Sequence, residues 1–221
     1  MLRLLRSLIR ILLNLIAGFE IRGKENVPLT GGVILASNHV GVLDVIMVYV
    51  GIDRIDLFIP VAEKWERVGW IRWVGKHLNF LFVDRFNPDL KALRKMIALL
   101  EEGKCLAIAP EGTRSRVGSL IEGKPGVAYL AARSGFPVVP VAITGTEDQA
   151  ILDNVRRFRK SRITLTGGSP LVFPPFQNKD RDAVLQKYTD EIMCQIAAIL
   201  PEKYRGVYAD HPRLKELLTA S

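Results

Sequence analysis

The stretch VILASNHVGVLD, residues 33–44, joins an uninterrupted apolar run to a short polar motif. Its apolar part, residues 33–36, predicts a buried strand. Four later runs have the same character, namely LFI at 57–59, FLFV at 80–83, CLAIA at 105–109 and VVPVAI at 138–143. The chain therefore contains at least five candidate strands, and the first leads directly into a histidine and an aspartate.

Helical patterns alternate with these strands. The clearest covers residues 87–103, where Asn87 is the expected N-cap, Pro88 takes the first helical position and Gly103 ends the apolar stripe. Two further helices are predicted over residues 126–133 and 182–200. Strands that alternate with helices predict an α/β fold. We expect a single-domain sandwich with a mixed, mostly parallel sheet flanked by helices.

Length and composition agree with one domain of this kind. The chain has 221 residues, of which 48% are hydrophobic and 24% charged, and these values exclude intrinsic disorder and a polytopic membrane bundle. The net charge of +8 favours an acidic partner such as a phosphorylated ligand, an anionic membrane or nucleic acid. The two cysteines, Cys105 and Cys194, lie in apolar stretches without metal-ligand spacing. They favour a reducing compartment over a disulfide scaffold.

The first 19 residues, MLRLLRSLIRILLNLIAGF, predict an amphipathic helix. Arg3, Arg6, Arg10 and Asn14 recur every three or four positions and form one polar stripe. The longest uncharged run, residues 11–19, is too short to cross a bilayer, which needs about 20 apolar residues. Two arrangements remain: a helix in the membrane plane with its arginines at the headgroups, or a helix packed on the protein's own core. The wide apolar face favours the membrane-surface helix.

The motif at 38–44 places a histidine just beyond the carboxyl end of a strand, where α/β folds present ligand-binding groups. On an ideal helix His39 and Asp44 would point about 140° apart, so their pairing requires a turn at Val40 and Gly41. A paired Asp44 would fix the tautomer of His39 and leave the other ring nitrogen to remove a proton from a hydroxyl. The alternative is a surface histidine with Asp44 as a helix cap.

A second polar motif, EGTRS at 111–115, follows the strand at 105–109. Gly112 lets backbone N–H groups approach an anion, Thr113 adds a hydroxyl, and Arg114 offers a bidentate fork to phosphate. Arg85 follows the strand at 80–83 and would reach the same cleft. Two arginines at two strand ends would then clamp one phosphate. The alternative is a turn whose arginines form ordinary surface ion pairs.

Several other chemistries are disfavoured. GSLIEGK at 118–124 nearly matches a phosphate loop, but Pro125 replaces the required serine or threonine. The sequence has no G-x-S-x-G elbow and no cysteine in a setting that suggests an activated thiolate, so a covalent acyl-enzyme is disfavoured. His77 and His211 lack partners at metal-ligand spacing, so no metal is expected. The basic run at 156–162 contains one aromatic residue, too few for a nucleic-acid platform.

Taken together, four ordered blocks strongly resemble the glycerolipid acyltransferase family, and its 1-acylglycerol-3-phosphate acyltransferases in particular. The blocks are NHVGVLD at 38–44, FVDR at 82–85, PEGTRS at 110–115 and VPVAI at 139–143. The resemblance spans about residues 20–200. It implies transfer of a fatty acyl group from acyl-coenzyme A or acyl carrier protein to lysophosphatidic acid, giving phosphatidic acid, with no resident cofactor.

The resemblance also implies roles for individual residues. His39 would be the general base and Asp44 its orienting partner, which agrees with the interpretation of the motif itself. Arg85 and Arg114 would hold the acceptor's phosphate, beside Thr113. Three residues complete the expected substrate-binding set: Glu111 would organise the acceptor site, Gly112 would lie beside the reacting thioester, and Lys124 would assist anion binding.

These interpretations give a domain organisation and a location. We expect a membrane-surface helix at 1–19 and an acyltransferase domain at 20–221, held peripherally at the cytoplasmic face of the cell membrane. The expected partners are the membrane surface, a lysophospholipid and the acyl donor, without nucleic acid. Two alternatives remain open: a related O-acyltransferase acting on glycerol-3-phosphate, another lysophospholipid or a glycolipid, or a non-catalytic peripheral lipid-binding protein.

Overall fold

The computed structural model describes residues 2–84, 90–175 and 180–220, with side chains from residue 6 onward. The strands in these residues are β1 (Ala17–Arg22), β2 (Val33–Ser37), β3 (Leu57–Ala62), β4 (Phe80–Val83), β5 (Cys105–Ile108), β6 (Val138–Thr144) and β7 (Ser161–Gly167). The α-helices are α1 (Leu2–Ile16), α2 (Leu43–Gly51), α3 (Gly69–His77), α4 (Leu90–Glu101), α5 (Gly126–Ser134), α6 (Asp148–Arg156), α7 (Arg181–Ile199) and α8 (Pro212–Thr219).

The strands form one sheet in the order β1-β7-β6-β2-β5-β3-β4. Five neighbouring strands, from β6 to β4, run parallel, while β7 is antiparallel to β6 and β1 is parallel to β7. The strand β2 pairs with β5 on one side and β6 on the other, and all of its residues are buried. This arrangement confirms the predicted α/β fold with a mixed, mostly parallel sheet.

Helices cover both faces of the sheet, and the handedness of the connections decides which helix lies where. From β2 through β3 to β4 the chain advances in one direction, so right-handed crossovers place α2 and α3 on the same face. The chain then returns through α4 and α5, which lie on the opposite face. Leu13 of α1 and Ile151 of α6 pack into the same core cluster as Met47 of α2. We call α1, α2, α3 and α6 the first helix layer.

The five predicted strands all correspond to observed strands, and α5 and α7 begin and end within one residue of the predicted bounds. The strand β7 was not predicted, although its residues alternate between buried and less buried positions. The basic run at 156–162 overlaps its start and obscures that alternation. Within the described residues α4 begins at Leu90. The cap expected at Asn87 and Pro88 lies outside the described residues.

The helix predicted over residues 1–19 ends earlier, at Ile16. Residues 17–19 instead begin β1, and Ala17 lies opposite Ser161 of β7. Pairing with β7 satisfies the backbone N–H and C=O groups of this segment, and Gly18 costs a helix about 1 kcal/mol relative to alanine. The predicted domain boundary at residue 19 therefore falls inside a strand.

The side of α1 that contacts the protein is both apolar and polar. Ile9, Leu13 and Ile16 pack against the core cluster beneath the first helix layer. The guanidinium of Arg6 donates to the carbonyl oxygens of Val50 and Arg54, at 3.2 Å each, beside the C-terminal end of α2. A cation is stabilised there because the last carbonyls of a helix lack intrahelical partners. The expectation that Arg6 faces membrane headgroups is therefore wrong.

The opposite side of α1 remains apolar and exposed, and it carries Leu8, Ile11, Leu12 and Leu15. One side of the helix is thus packed on the core, as in the second arrangement considered from the sequence, and the other side is open. Within the described residues no helix combines the length and apolar character needed to cross a membrane.

Candidate active site

The candidate site lies at the carboxyl ends of three neighbouring strands. Since β5, β2 and β6 are adjacent and parallel, the residues that follow them meet at one edge of the sheet. His39 follows β2, Glu111 follows β5, and Thr146 follows β6. Open α/β sheets bind ligands at this edge because the loops there project polar groups away from the buried strands. Sheet order therefore brings together residues that are far apart in the sequence.

The turn predicted between His39 and Asp44 is present. Nδ1 of His39 lies 2.8 Å from Oδ2 of Asp44, and the same oxygen accepts the backbone N–H groups of Val40, at 2.7 Å, and Gly41, at 2.9 Å. A carboxylate oxygen only accepts hydrogen bonds, so the contact places the proton on Nδ1 and leaves Nε2 as the basic nitrogen. Asp44 lies in the first turn of α2, whose N-cap is Val42, and it accepts hydrogen bonds from the turn before the helix. The alternative in which Asp44 caps the helix is therefore wrong.

Gly41 is required at this turn for a steric reason. A Cβ atom added there would lie 1.7 Å from the carbonyl oxygen of Thr146, far closer than atoms can approach. Any side chain at position 41 would therefore push the 38–44 turn away from the loop that follows β6. The same close approach lets Thr146 reach Asp44.

The other oxygen of Asp44 accepts the hydroxyl of Thr146, so both carboxylate oxygens have donors. Asp44 is buried, with 3% of its surface exposed, and these donors hold its carboxylate in one position. Asn38 strengthens the same junction, since its side chain donates to the carbonyl of Ile143 at 2.8 Å and accepts the N–H of Ile143 at 2.7 Å. The histidine is therefore held by a fixed carboxylate on a fixed backbone.

Glu111 supports the backbone of His39. One of its carboxylate oxygens accepts the N–H of His39 at 3.0 Å, and the other accepts the N–H of Ile121 at 3.0 Å. The carbonyl of His39 in turn accepts the N–H of Ser115 at 2.8 Å. Glu111 is almost completely buried, and burial raises its pKa to about 7, although the two N–H donors act in the opposite direction. The loop after β5 thus bonds both the backbone N–H and the backbone carbonyl of His39.

The remaining residues of that loop form an exposed, cationic surface beside the histidine. Gly112 has a positive φ of 68°, and its N–H closes a turn on the carbonyl of Ala109 at 3.0 Å. A Cβ at Gly112 would lie 3.1 Å from Cδ of Lys124, so the lysine side chain crosses directly over this glycine. Thr113 and Arg114 are exposed next to it. Because the Gly112 amide is already bonded, an anion bound here would need donors from elsewhere in the loop.

Arg114 forms an ion pair with Asp148, the first residue of α6. The other oxygen of Asp148 accepts the N–H of Val42 at 2.9 Å, so this carboxylate joins the arginine to the 38–44 turn. The surface ion pair considered from the sequence is present, and it places Arg114 at the candidate site. Arg85 lies outside the described residues.

The sequence reasoning did not identify Thr146 and Asp148, which contact Asp44 and Arg114. Both follow β6 in the order Gly-Thr-Glu-Asp, and polar residues directly after a buried strand were the signal that identified His39 and Glu111. The same signal applied to residues 144–148 would have found them. In the described residues no cluster of histidine, cysteine and carboxylate side chains is arranged to hold a metal ion. Burial raises the pKa of the Cys105 and Cys194 thiols to about 12, so neither is a reactive thiolate near neutral pH.

The sequence is similar to those of known proteins. The family model described as Acyltransferase matches residues 18–144. The chain is 31% identical over 163 residues to a 1-acyl-sn-glycerol-3-phosphate acyltransferase of Bacillus subtilis (strain 168), covering 74% of this chain and 78% of that protein. It is 28% identical over 190 residues to one from Chlamydomonas reinhardtii, covering 82% of this chain and 56% of that protein.

A solved structure also matches. The crystal structure of the 1-acyl-sn-glycerophosphate (LPA) acyltransferase PlsC from Thermotoga maritima superimposes with a TM-score of 0.67 at 25% sequence identity. The match covers 86% of this chain and 76% of that chain. The α/β architecture described above is therefore shared with a protein of the same kind as the sequence relatives.

Proposed function

The chain belongs to the acyltransferase family, and from this premise we propose that it transfers a fatty acyl group to the free hydroxyl of 1-acylglycerol-3-phosphate, giving phosphatidic acid. The observation that carries the proposal is the 2.8 Å contact between His39 Nδ1 and Asp44 Oδ2, at the sheet edge beside Arg114 and Lys124. A base next to a cationic surface suits an acceptor that has both a hydroxyl and a phosphate.

The proposed reaction is a direct transfer. Nε2 of His39 removes the proton of the acceptor hydroxyl while the oxygen attacks the thioester carbon of the donor. The resulting imidazolium is stabilised by ionised Asp44, which Thr146 and the backbone of residues 40–41 hold in place. When the tetrahedral intermediate collapses, the C–S bond breaks and the imidazolium protonates the departing thiolate. The proton count balances without a metal, a resident cofactor or a covalent acyl-enzyme.

The acceptor's phosphate is proposed to bind Arg114, Thr113 and Lys124, with Arg85 as the second arginine of the clamp. Arg114 is half-exposed and paired only at the surface with Asp148, so phosphate can replace or share that partner at small cost. Glu111 is proposed to organise the site through the backbone of His39. The donor is acyl-coenzyme A or acyl carrier protein, and either supplies the thioester that this mechanism requires.

We further propose that the protein is peripheral, at the cytoplasmic face of the cell membrane, and that α1 holds it there. The exposed leucines and isoleucine of α1 would lie among the acyl chains, while its packed side keeps the catalytic domain attached. A lysophospholipid acceptor resides in the bilayer, so a surface position brings the acceptor to the enzyme.

The test is acyl transfer by purified wild type and His39→Ala, with acyl-coenzyme A and acyl carrier protein offered separately to lysophosphatidic acid and the product identified by mass. Positioned acid–base catalysis contributes about 10²–10⁴-fold, so His39→Ala should lose nearly all turnover while its circular dichroism spectrum is unchanged. Normal turnover in the variant would refute the assignment of His39 as the general base. Product only from other acceptors would indicate a related O-acyltransferase, and no product from any acceptor would favour a lipid-binding protein.

A further inference from the structure

All three tryptophans of the chain lie within residues 65–73, and all three are exposed. Trp70 and Trp73 of α3 have 69% and 62% of their surface accessible, and Trp65 precedes that helix in a short 3₁₀ turn. Indole rings are among the largest apolar side chains, and folding usually removes them from water. A concentration of exposed rings in one segment is therefore a feature that stability of the isolated fold does not explain.

The packing of α3 fixes the direction in which two of these rings point. Val74 and Phe80 pack against the core cluster, and a Cβ at Gly75 would lie 3.0 Å from the ring of Phe80. This contact holds one side of α3 close to β4. Trp70 and Trp73 lie away from this contact, since both are mostly exposed. The rings are displayed by a helix whose inner side is firmly packed.

Charges surround the tryptophans in a way that favours an anionic surface. Residues 63–77 contain four lysines and arginines, Lys64, Arg67, Arg72 and Lys76, against two acidic residues, Glu63 and Glu66. The ammonium of Lys64 lies 5.5 Å from the centroid of the Trp65 ring. Tryptophan concentrates at the boundary between water and lipid, because the ring is apolar and the indole N–H is polar. Lysine and arginine beside it add attraction to anionic headgroups.

The position of α3 in the fold relates this surface to α1. Both helices belong to the first helix layer, α1 beside the β1 edge of the sheet and α3 beside β4 at the other edge. Between them lies α2, which begins at the turn that holds His39 and Asp44. The leucines of α1 and the tryptophans of α3 therefore lie in the same helix layer, on the same face of the sheet and near its two edges.

We propose that residues 64–76, which we call the tryptophan surface, form a second membrane-docking surface that takes the headgroup region of an anionic phospholipid bilayer. Two separated contacts in one helix layer would fix the orientation of the protein on the bilayer, whereas α1 alone leaves rotation about its own axis. The occupant is the lipid surface and not a second copy of the chain, because the cationic rim of this surface would repel an identical rim. The proposal concerns docking and does not depend on which acceptor is acylated.

The chain itself supplies the probe, because its tryptophan fluorescence arises only from this surface. Purified wild type is mixed with vesicles of phosphatidylcholine alone or with phosphatidylglycerol, and with matched vesicles carrying bromine on the acyl chains. We expect a blue shift and quenching by the brominated lipid, both stronger with phosphatidylglycerol and weakened by salt. Unshifted, unquenched emission from protein that co-sediments with the vesicles would overturn the proposal, since docking would then involve α1 alone. Failure to bind vesicles at all would overturn it as well.

A double variant separates docking from catalysis. Trp70→Ser with Trp73→Ser should weaken vesicle binding at least several-fold, while activity on detergent-dispersed acceptor stays at the wild-type level. The matched control is Val207→Ser, an exposed apolar residue outside α3 that follows α7, and it should bind vesicles like the wild type. Equal binding by the double variant and the control would contradict the proposal. A blue shift that grows with protein concentration without vesicles would identify a second copy as the occupant instead.

Discussion

The two sides of the candidate active site are built differently. On the base side, Asp44 and Glu111 are buried and each oxygen of either carboxylate accepts at least one hydrogen bond. On the anion side, Thr113, Arg114 and Lys124 are exposed, and the ion pair between Arg114 and Asp148 lies at the surface. Breaking a buried, bonded charge costs several kcal/mol, whereas an exposed ion pair contributes about 0–1 kcal/mol.

This difference matches the two tasks that we propose for the site. Proton transfer requires a base whose position and tautomer are fixed before the substrate arrives, since misplacement directly lowers the rate. Phosphate brings its own charge and can draw flexible cations toward it when it binds. Changes on the base side should therefore lower kcat, and changes on the anion side should mainly raise KM for the acceptor.

Among the residues that support His39, the largest effect is expected from Asp44→Asn. The amide oxygen can still accept from His39 and from the N–H groups of Val40 and Gly41, and the hydroxyl of Thr146 can rotate to accept from the new NH₂ group. The hydrogen-bond pattern survives, but the negative charge that stabilises the imidazolium is lost. We expect kcat to fall by about 10²–10⁴-fold with little change in acceptor KM. Steady-state kinetics would test this, and a rise in KM at unchanged kcat would place Asp44 on the anion side.

Glu111 gives a test of the base side that needs no substrate. Its pKa in the fold is about 7, above the ordinary 4.5, because burial disfavours the charged form. The protonated form therefore favours the folded state. The stability from this group is fully present below pH about 4.5 and is lost as the pH rises through about 7, by up to about 3 kcal/mol.

The measurement is urea unfolding of wild type and Glu111→Gln at several pH values. Glutamine does not titrate, so the difference between the two free energies of unfolding isolates the contribution of Glu111. We expect the free energy of unfolding of the wild type to fall relative to that of Glu111→Gln as the pH rises from 4 to 8. A difference that stays constant over this range would show that the carboxyl group titrates normally and that the base side tolerates its charge.

On the anion side, Arg114→Gln should raise the acceptor KM about tenfold and leave kcat within a few-fold of the wild type. The reason is that the lost contact is made to phosphate, which is charged equally in the ground state and the transition state. Asp148→Asn is the matched comparison, because it removes the negative charge that pairs with Arg114 while keeping the arginine. A kcat loss in Arg114→Gln as large as in Asp44→Asn would erase the distinction between the two sides.

The distance in sequence between partners explains what could be predicted. The apolar runs identified β2 to β6, because the apolar character of a strand is a local property of its residues. The pairing of His39 with Asp44 was also local, since it depends on a turn of a few residues. Thr146 lies 102 residues from Asp44, and Val42 lies 106 from Asp148. These contacts arise only because β6 pairs with β2, and no local pattern specifies that order.

The ending of α1 at Ile16 has a similar cause. The apolar spacing of residues 1–19 continues through Phe19, so periodicity alone extends the helix. Partnership with β7 is what converts residues 17–19 into a strand. The polar stripe was correct as a pattern, but Arg6 faces the end of α2 because the sheet brings that helix beside it. The pattern within one helix or strand could be predicted from the sequence. The element against which it packs could not, because that depends on the fold.

The smallest effect is expected from Thr146, the residue that joins the loop after β6 to the base side. Thr146→Val keeps the shape of the side chain but removes the hydroxyl that donates to Asp44. A hydrogen bond to a charged group is worth about 1.5–3 kcal/mol, and water admitted at the site can replace part of it, so we expect kcat to fall about tenfold. Acceptor KM should change little, and Thr146→Ser should restore most of the rate because it returns the donor. Failure of serine to rescue would mean that the methyl group, through packing against the 38–44 turn, is what matters. Equal rates for valine and wild type would mean that the other donors to Asp44 already fix the base.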